Sequence, residues 1–374
     1  FGVPAQAQRE VTGLRRSRDG IGSGETERKD MFGVTISLTE KTPSELTGYL
    51  EKMKRLNADV VFASVQIPEE NAETVKENLF QAGAYIREHM QEFVVDVSPR
   101  TFRNFSADEL KRAGVTGLRI DNGMTAQEIV RLSEAFKIVL NASTIDDEQI
   151  GELKDAGYRG DFEAWYNYYP RKNTGLDIRY FVRKNEWLFS RGIETAVFIA
   201  GDKEMRGTIF EGLPTLEAHR TMPPLQAYLE MKHLYGIEKV ILGDFDLQPD
   251  TFGKLEELFG SGIIRLCTEN TEEKSILNMI HHNRVDVAAD VLRSNEYRRV
   301  NRRQFEPGRT GARPRGTITI DNTGYGRYMG EMQIVLTELD ADERVNVVSR
   351  VAERDLGLLE YIKDYEYPFV LTEE

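Results

Sequence analysis

The sequence predicts an α/β protein: a (β/α)8 barrel followed by a small β-rich C-terminal domain. Three observations carry this. Short apolar runs alternate with helix-like segments eight times from Met31 onward. Those runs are almost wholly apolar, as strands of a parallel sheet buried on both faces must be. The alternation then stops after Gly260-Ser-Gly262, and β-like runs with little helix between them follow. Eight βα units over roughly 230 residues approach the ~250 of a (β/α)8 barrel. A doubly wound open sheet is the alternative, but no strand opens into the Gly-x-Gly-x-x-Gly turn that binds dinucleotides. We therefore divide the chain into residues 1–30, a barrel over 31–262 and a β domain over 265–374.

Each element has its own signal. The first strand is Phe32 to Leu38, and Thr42-Pro43-Ser44-Glu45 opens the helix after it, with proline in the first turn. Strand two, Asp59 to Val65, runs into Ile67-Pro68-Glu69-Glu70 and a helix to about Met90. Strand three is Phe93 to Val97. Ser106-Ala-Asp-Glu109 then has the form of a capping box. Strand four, Gly117 to Ile120, meets Asp121, and a helix from Thr125 leads to strand five, Lys137 to Asn141. A helix over 146–156 precedes strand six, about Phe162 to Tyr168, and one over 177–191 precedes strand seven, Thr195 to Ala200. A long loop and a helix from Pro224 to Tyr235 come before strand eight, Lys239 to Leu242. Beyond the barrel, Ile263 to Thr268, Arg315 to Asp321, Gly330 to Leu336 and Val345 to Val351 read as strands.

Of the 374 residues, 40% are hydrophobic and 30% charged, as in an ordinary globular protein. The net charge of −13 opposes general nucleic-acid binding and docking on an anionic membrane, so an anionic ligand needs a local cationic pocket. No apolar run approaches the ~20 residues of a membrane helix. The single cysteine, Cys267, excludes an intrachain disulfide and reads as a small buried thiol. Residues 1–30 are polar and Arg/Gly/Ser-rich without an apolar signal core, and read as a disordered leader or expression-derived extension. The expected location is cytoplasmic. With five histidines and no His-Glu-x-x-His, no metal or other cofactor is expected; the adjacent His281 and His282 fall in a helix-like stretch and point to different faces. The arginine-rich stretch from Arg293 to Arg315 reads as a mobile exposed loop.

Barrel enzymes build their sites from the loops at the C-terminal ends of the strands. Here those ends carry Glu40, Gln66 with Glu69, Asp96 with Ser98, Arg119 with Asp121, Asn141 with Ser143, and Asn167 with Tyr169. The long loop Arg206 to Arg220 follows strand seven, and Asp244 follows strand eight. Acids after several strands suit a glycosidase, which works with two carboxyl groups. We assign Glu211 as the acid, expecting Phe210, Leu213 and Pro214 to desolvate it and raise its pKa. Asp121, beside Arg119 in strand alternation, is expected to stay ionised as nucleophile or base; Asp244 is held in reserve for either role, and Glu69 more distantly. Arg206, with Arg171 and Lys172, is placed to bind a substrate phosphate. Arg119, Asn141, Asn167 and Tyr169 complete the expected binding set.

Three stretches together resemble the 6-phospho-N-acetylmuramidase family: Trp165 to Leu176, Arg206 to Arg220 and Ile320 to Tyr328. The similarity runs from Met31 to the end. It implies a TIM barrel followed by a cyclophilin-like β domain, and hydrolysis of the β-1,4 bond of N-acetylmuramic acid 6-phosphate–N-acetylglucosamine during cell-wall recycling in the cytoplasm. The partner is then a phosphorylated amino-sugar disaccharide, with neither nucleic acid nor membrane; a homo-oligomer is left open. Asn322, Tyr325 and Arg327, in a turn rich in hydrogen-bond donors, are expected to face the barrel opening and join in ligand binding. A phosphosugar-binding regulator needs only the cations and aromatics, and a surface interaction protein needs an export signal.

Overall fold

The computed structural model describes residues 30–65, 72–121, 123–207 and 209–373. The expected extension at the N-terminus and the candidates Gln66 and Glu69 lie outside the described residues, apart from Asp30. The chain divides into two compact units between Thr251 and Phe252.

The first unit is a closed barrel of eight parallel strands, each bonded to the next in sequence. They are β1 (Met31–Ile36), β2 (Ala58–Ser64), β3 (Glu92–Val97), β4 (Gly117–Ile120), β5 (Lys137–Asn141), β6 (Glu163–Trp165), β7 (Glu194–Ile199) and β8 (Lys239–Leu242), with β8 closing on β1. Thr42, Ser106 and Thr125 each cap the helix that follows by a reciprocal bond with the glutamate three residues on. β6 is shorter than its apolar run. From Asn167 the backbone bonds to the loop after β7 instead: Thr215 Oγ1 donates to the Asn167 carbonyl and Tyr169 N–H to that of Pro214.

Strand alternation sends every second residue inward. The middle of the barrel is packed by Val60, Phe62, Val94, Val139, Trp165, Ala196, Phe198 and Ile241. Gly33 sits where any Cβ would come within 3.0 Å of the Val60 Cβ and 3.1 Å of Ile241. Toward the strand N-termini lies a ring of charge. Lys137 bridges Glu92 at 2.8 Å and Glu163 at 2.7 Å, and Lys239 bridges the same two acids at 3.0 and 2.5 Å. Trp165 Nε1 adds a bond to Glu163 at 2.6 Å. Burial pushes the Glu163 pKa up, but Lys239 and Lys137 together hold it below the usual carboxylate value. Removing Lys239 would leave both acids to Lys137, the more exposed of the two ammoniums. Lys239→Met is therefore expected to cost the barrel about 1–3 kcal/mol, read as a lower urea midpoint; an unchanged midpoint would refute a structural role for the ring.

The second unit is a curled, seven-stranded sheet. Its strands are β9 (Ile264–Glu269), β10 (Ile280–His281), β11 (Val291–Arg293), β12 (Thr317–Asp321), β13 (Met332–Val335), β14 (Val345–Val351) and β15 (Phe369–Glu373), in the order β10-β15-β9-β14-β12-β13-β11. All neighbours are antiparallel except β9 and β15. A buried pair stabilises it: Lys254 Nζ meets both oxygens of Asp355 at 2.8 Å, and Asp355 also accepts from the Cys267 N–H. Cys267 is a free, buried thiol. Two sequence readings need correction. His281 lies in a strand rather than a helix, buried between Ser294 and the Ile276 carbonyl, while His282 is exposed beside Glu296. The stretch from Arg293 to Arg315 is largely exposed, as expected, but includes a short helix, Tyr297–Val300, and arginines in surface ion pairs: Arg303 with Glu273, Arg309 with Glu272 and Arg315 with Glu360. Among the described residues no helix is long and apolar enough to cross a membrane.

Candidate active site

The C-terminal ends of the barrel strands gather the polar residues of the first unit, and register decides which of them meet. β3 and β4 pair with Asp96 opposite Arg119. Arg119, only 4% exposed, donates Nη1 to Asp96 Oδ1 at 2.8 Å and Nη2 to Asn167 Oδ1. Asp96 thus pairs with Arg119 across the strand register, a partner that sequence spacing did not suggest. Asp121 follows the end of β4, half-buried, its N–H bonded to the Val97 carbonyl. With its Oδ1 on the guanidinium, Asn167 keeps its amide nitrogen without a protein acceptor among the described residues. Asn141 accepts from the Ser143 N–H at 3.0 Å, and Ser143 Oγ bonds the Tyr169 hydroxyl at 3.3 Å.

The loops after β6 and β7 are fastened by two buried groups. Arg220 donates to the carbonyls of Glu211, Gly212, Tyr169 and Arg171, and forms a two-pronged pair with Glu217 at 2.7 Å. Glu217 in turn accepts the N–H groups of Asn173 and Gly175. The Arg220 contact holds the Glu217 pKa at about 2 despite partial burial, with help from those two N–H groups. Asp244, fully buried, accepts the N–H groups of Gly201, Arg206 and Leu213 at 2.9–3.0 Å. In this state Asp244 ties the β7 loop to β8. Gly243 beside it leaves room for the Leu213 carbonyl, which would lie 2.5 Å from any Cβ there. His219 is fully buried against Glu230 at 3.1 Å and belongs to the core of the loop.

This frame presents three cations and an acid. The Arg206 guanidinium lies 5.7 Å from the Tyr168 ring and 5.8 Å from that of Phe245, and its Nη1 is buried without a hydrogen-bond partner among the described residues. Arg171 is exposed, and its guanidinium has no partner among the described residues. Lys172 is engaged: its N–H donates to Glu211 at 3.2 Å and its ammonium meets the other Glu211 oxygen at 3.1 Å. The backbone N–H of Lys172, then its ammonium, therefore hold the Glu211 carboxyl below its ordinary pKa. That corrects the expected raised value. Phe210, meant to cover Glu211, is 65% exposed with a left-handed φ of 58°, so it shields nothing. Sequence reasoning named Asp96 at its strand end and Arg220 at the end of its loop without giving them a role, and did not single out Glu217. The i,i+3 spacing of Glu217 and Arg220 was the signal available for two of them.

In the second unit, Asn322 is fully buried and fixes its turn, accepting the Gly324 N–H and donating to the Glu343 carbonyl and Asn346. Tyr325 donates to Asp342 at 2.8 Å, and Arg327 lies over the Tyr328 ring at 4.9 Å. No group of three or more His, Cys, Asp or Glu among the described residues is placed to hold a metal ion.

Comparison with known proteins agrees with this division. A family model described as 6-phospho-N-acetylmuramidase, N-terminal, matches residues 32–257, and its C-terminal counterpart matches residues 264–370. No curated protein matches the sequence. Among solved structures, a conserved protein from Enterococcus faecalis with an unknown function is 37% identical, at a TM-score of 0.83, over 92% of this chain and 96% of that one. An uncharacterized B. cereus protein is 26% identical, at a TM-score of 0.69, over 92% of this chain and 100% of the other.

Proposed function

The chain belongs to the 6-phospho-N-acetylmuramidase family, and from that premise we propose that it hydrolyses the β-1,4 bond between N-acetylmuramic acid 6-phosphate and N-acetylglucosamine, in cytoplasmic recycling of peptidoglycan. Membership brings a glycosidase-type function and a phosphorylated sugar substrate. The observation that supports the finer reading is Arg206. Its guanidinium lies within 6 Å of two ring centres, its backbone is anchored by Asp244, and its side chain has no hydrogen bond or ion pair among the described residues. That unpaired charge suits a phosphate, which it would bind through a charge-assisted bond. Arg171 adds a second cation whose guanidinium has no partner among the described residues.

The chemistry falls to Glu211 and Asp121, with roles opposite to those read from sequence. Glu211 is held ionised by Lys172 and suits the nucleophile, or the base for a water. The complementary role, protonating the leaving oxygen, then falls to Asp121, half-buried just past the end of β4. Asn167 and Asn141 are placed to hold sugar hydroxyls or the acetamido groups.

The test is turnover of a 6-phosphorylated muramyl disaccharide beside its unphosphorylated twin. Arg206→Ala is expected to lower kcat/KM on the phosphorylated substrate by about 100-fold and barely alter residual action on the twin. Equal loss on both would reduce Arg206 to a folding role. Tight binding of the phosphorylated disaccharide without any cleavage would favour a phosphosugar-binding regulator instead.

A further inference from the structure

The turn that carries Asn322, Tyr325 and Arg327, expected from sequence to join in ligand binding, edges a cleft whose ligand the hydrolase reading leaves unspecified. Asp321, the last residue of β12, is 5% exposed, and its carboxyl group has neither a hydrogen bond nor an ion pair among the described residues. It lines a cleft of about 420 Å³ together with Glu331, Arg284, Arg293, Tyr325 and Tyr328. Nearby acids are engaged: Glu331 contacts Arg284 at 3.4 Å, and Asp286 meets Arg293 at 2.8 Å. The cleft thus offers an acceptor that no group among the described residues serves. Burial first, then Glu331 and Asp342, push the Asp321 pKa up to about 7.

We propose that this cleft is a binding site for an uncharged sugar ring, with a ring hydroxyl donating to Asp321 and the Tyr328 face against the pyranose. The charge pattern selects that class. Three acids, Asp286, Asp321 and Glu331, and three arginines, Arg284, Arg293 and Arg313, line the cleft, so a ligand of either charge meets its like, whereas a hydroxyl both donates and accepts. A buried carboxyl without a donor is costly, and a ligand hydroxyl removes that cost. The walls are prebuilt. Asn322 locks the turn, Tyr325 is pinned by Asp342 and by Arg344 at 4.4 Å from its ring, and Tyr328 is 47% exposed. A volume of this size falls within the range of small-ligand sites.

Val345 lines the same cleft and reports on it. In the full chain carrying ¹³C-methyl valine, N-acetylglucosamine is expected to shift the Val345 methyl signals saturably. Asp321→Ala and Tyr328→Ala should each weaken that response by about tenfold or more; the exposed Tyr328 site keeps the test valid if the Asp321 variant fails to fold. An unmoved Val345 signal, an equal shift with acyclic sorbitol, a response to ethanolammonium in place of the sugar, or full retention in Tyr328→Ala would overturn the proposal. Because the readout is binding rather than turnover, its failure is separate from any failure of the hydrolase reading.

Discussion

Glu211→Gln and Asp121→Asn should each lower turnover of the 6-phosphorylated disaccharide by about three orders of magnitude, with KM and thermal stability close to wild type. The two losses should differ in kind. An aryl glycoside with a good leaving group needs no proton on departure, so Asp121→Asn is expected to recover much of its rate on such a substrate. Glu211→Gln should stay impaired there, because the attacking group is gone, and an external nucleophile such as azide should restore part of the rate. The pH profile gives an independent check. Lys172 depresses the Glu211 pKa, so the ionised form persists below the ordinary carboxylate value of 4.5, and the acid limb of kcat/KM should lie below it. Lys172→Met should move that limb upward. If both amide variants remain near wild type, the catalytic acids lie elsewhere on the rim. If the aryl glycoside rescues Glu211→Gln instead, the roles are those the sequence alone suggested.

Arg220→Ala should be nearly as damaging, by a different route. Arg220 is 8% exposed and joins the β6 and β7 loops through four carbonyls and Glu217. Deleting it leaves those carbonyls and a carboxylate without their donor, at a cost of about 3–5 kcal/mol in unfolding free energy. Turnover should fall with it, since Glu211 and Arg171 are both fixed through their carbonyls. Arg220→Lys should not restore either property, because an ammonium cannot reproduce the planar fork. The stability has a definite pH signature. The Glu217 pKa is depressed to about 2 from an ordinary 4.5, so its contribution is complete above 4.5 and is lost as pH falls from there toward about 2. In Arg220→Ala that slope should flatten. Unfolding curves identical to wild type from pH 5 to pH 2 would show that the pair holds nothing together.

Local and long-range order reside in different features of this chain. Apolar runs, helix caps and breaks in periodicity act within a few residues of chain, so the eightfold alternation, the caps at Thr42 and Ser106 and the change to β structure after Gly262 were legible in the sequence. Strands four, five and eight carry the bounds their apolar runs gave, because nothing beyond the local pattern competes for their backbone. β6 is the exception, cut short where the β7 loop takes over the bonding of Asn167 and Tyr169.

What the sequence could not contain is which charges meet. Arg119 finds Asp96 because β3 and β4 pair in that register, 23 residues apart in the chain. Lys172 finds Glu211 because Arg220 clasps the two loops, and that contact reverses the pKa direction expected of the acid. Asp321 is one more acid in a charged turn until the sheet folds around it and leaves its carboxyl group buried and unserved. Secondary structure follows from the order of neighbours along the chain. The ionisation of a carboxyl group follows from neighbours across it, at distances of a few ångströms that only the closed barrel and the curled sheet fix.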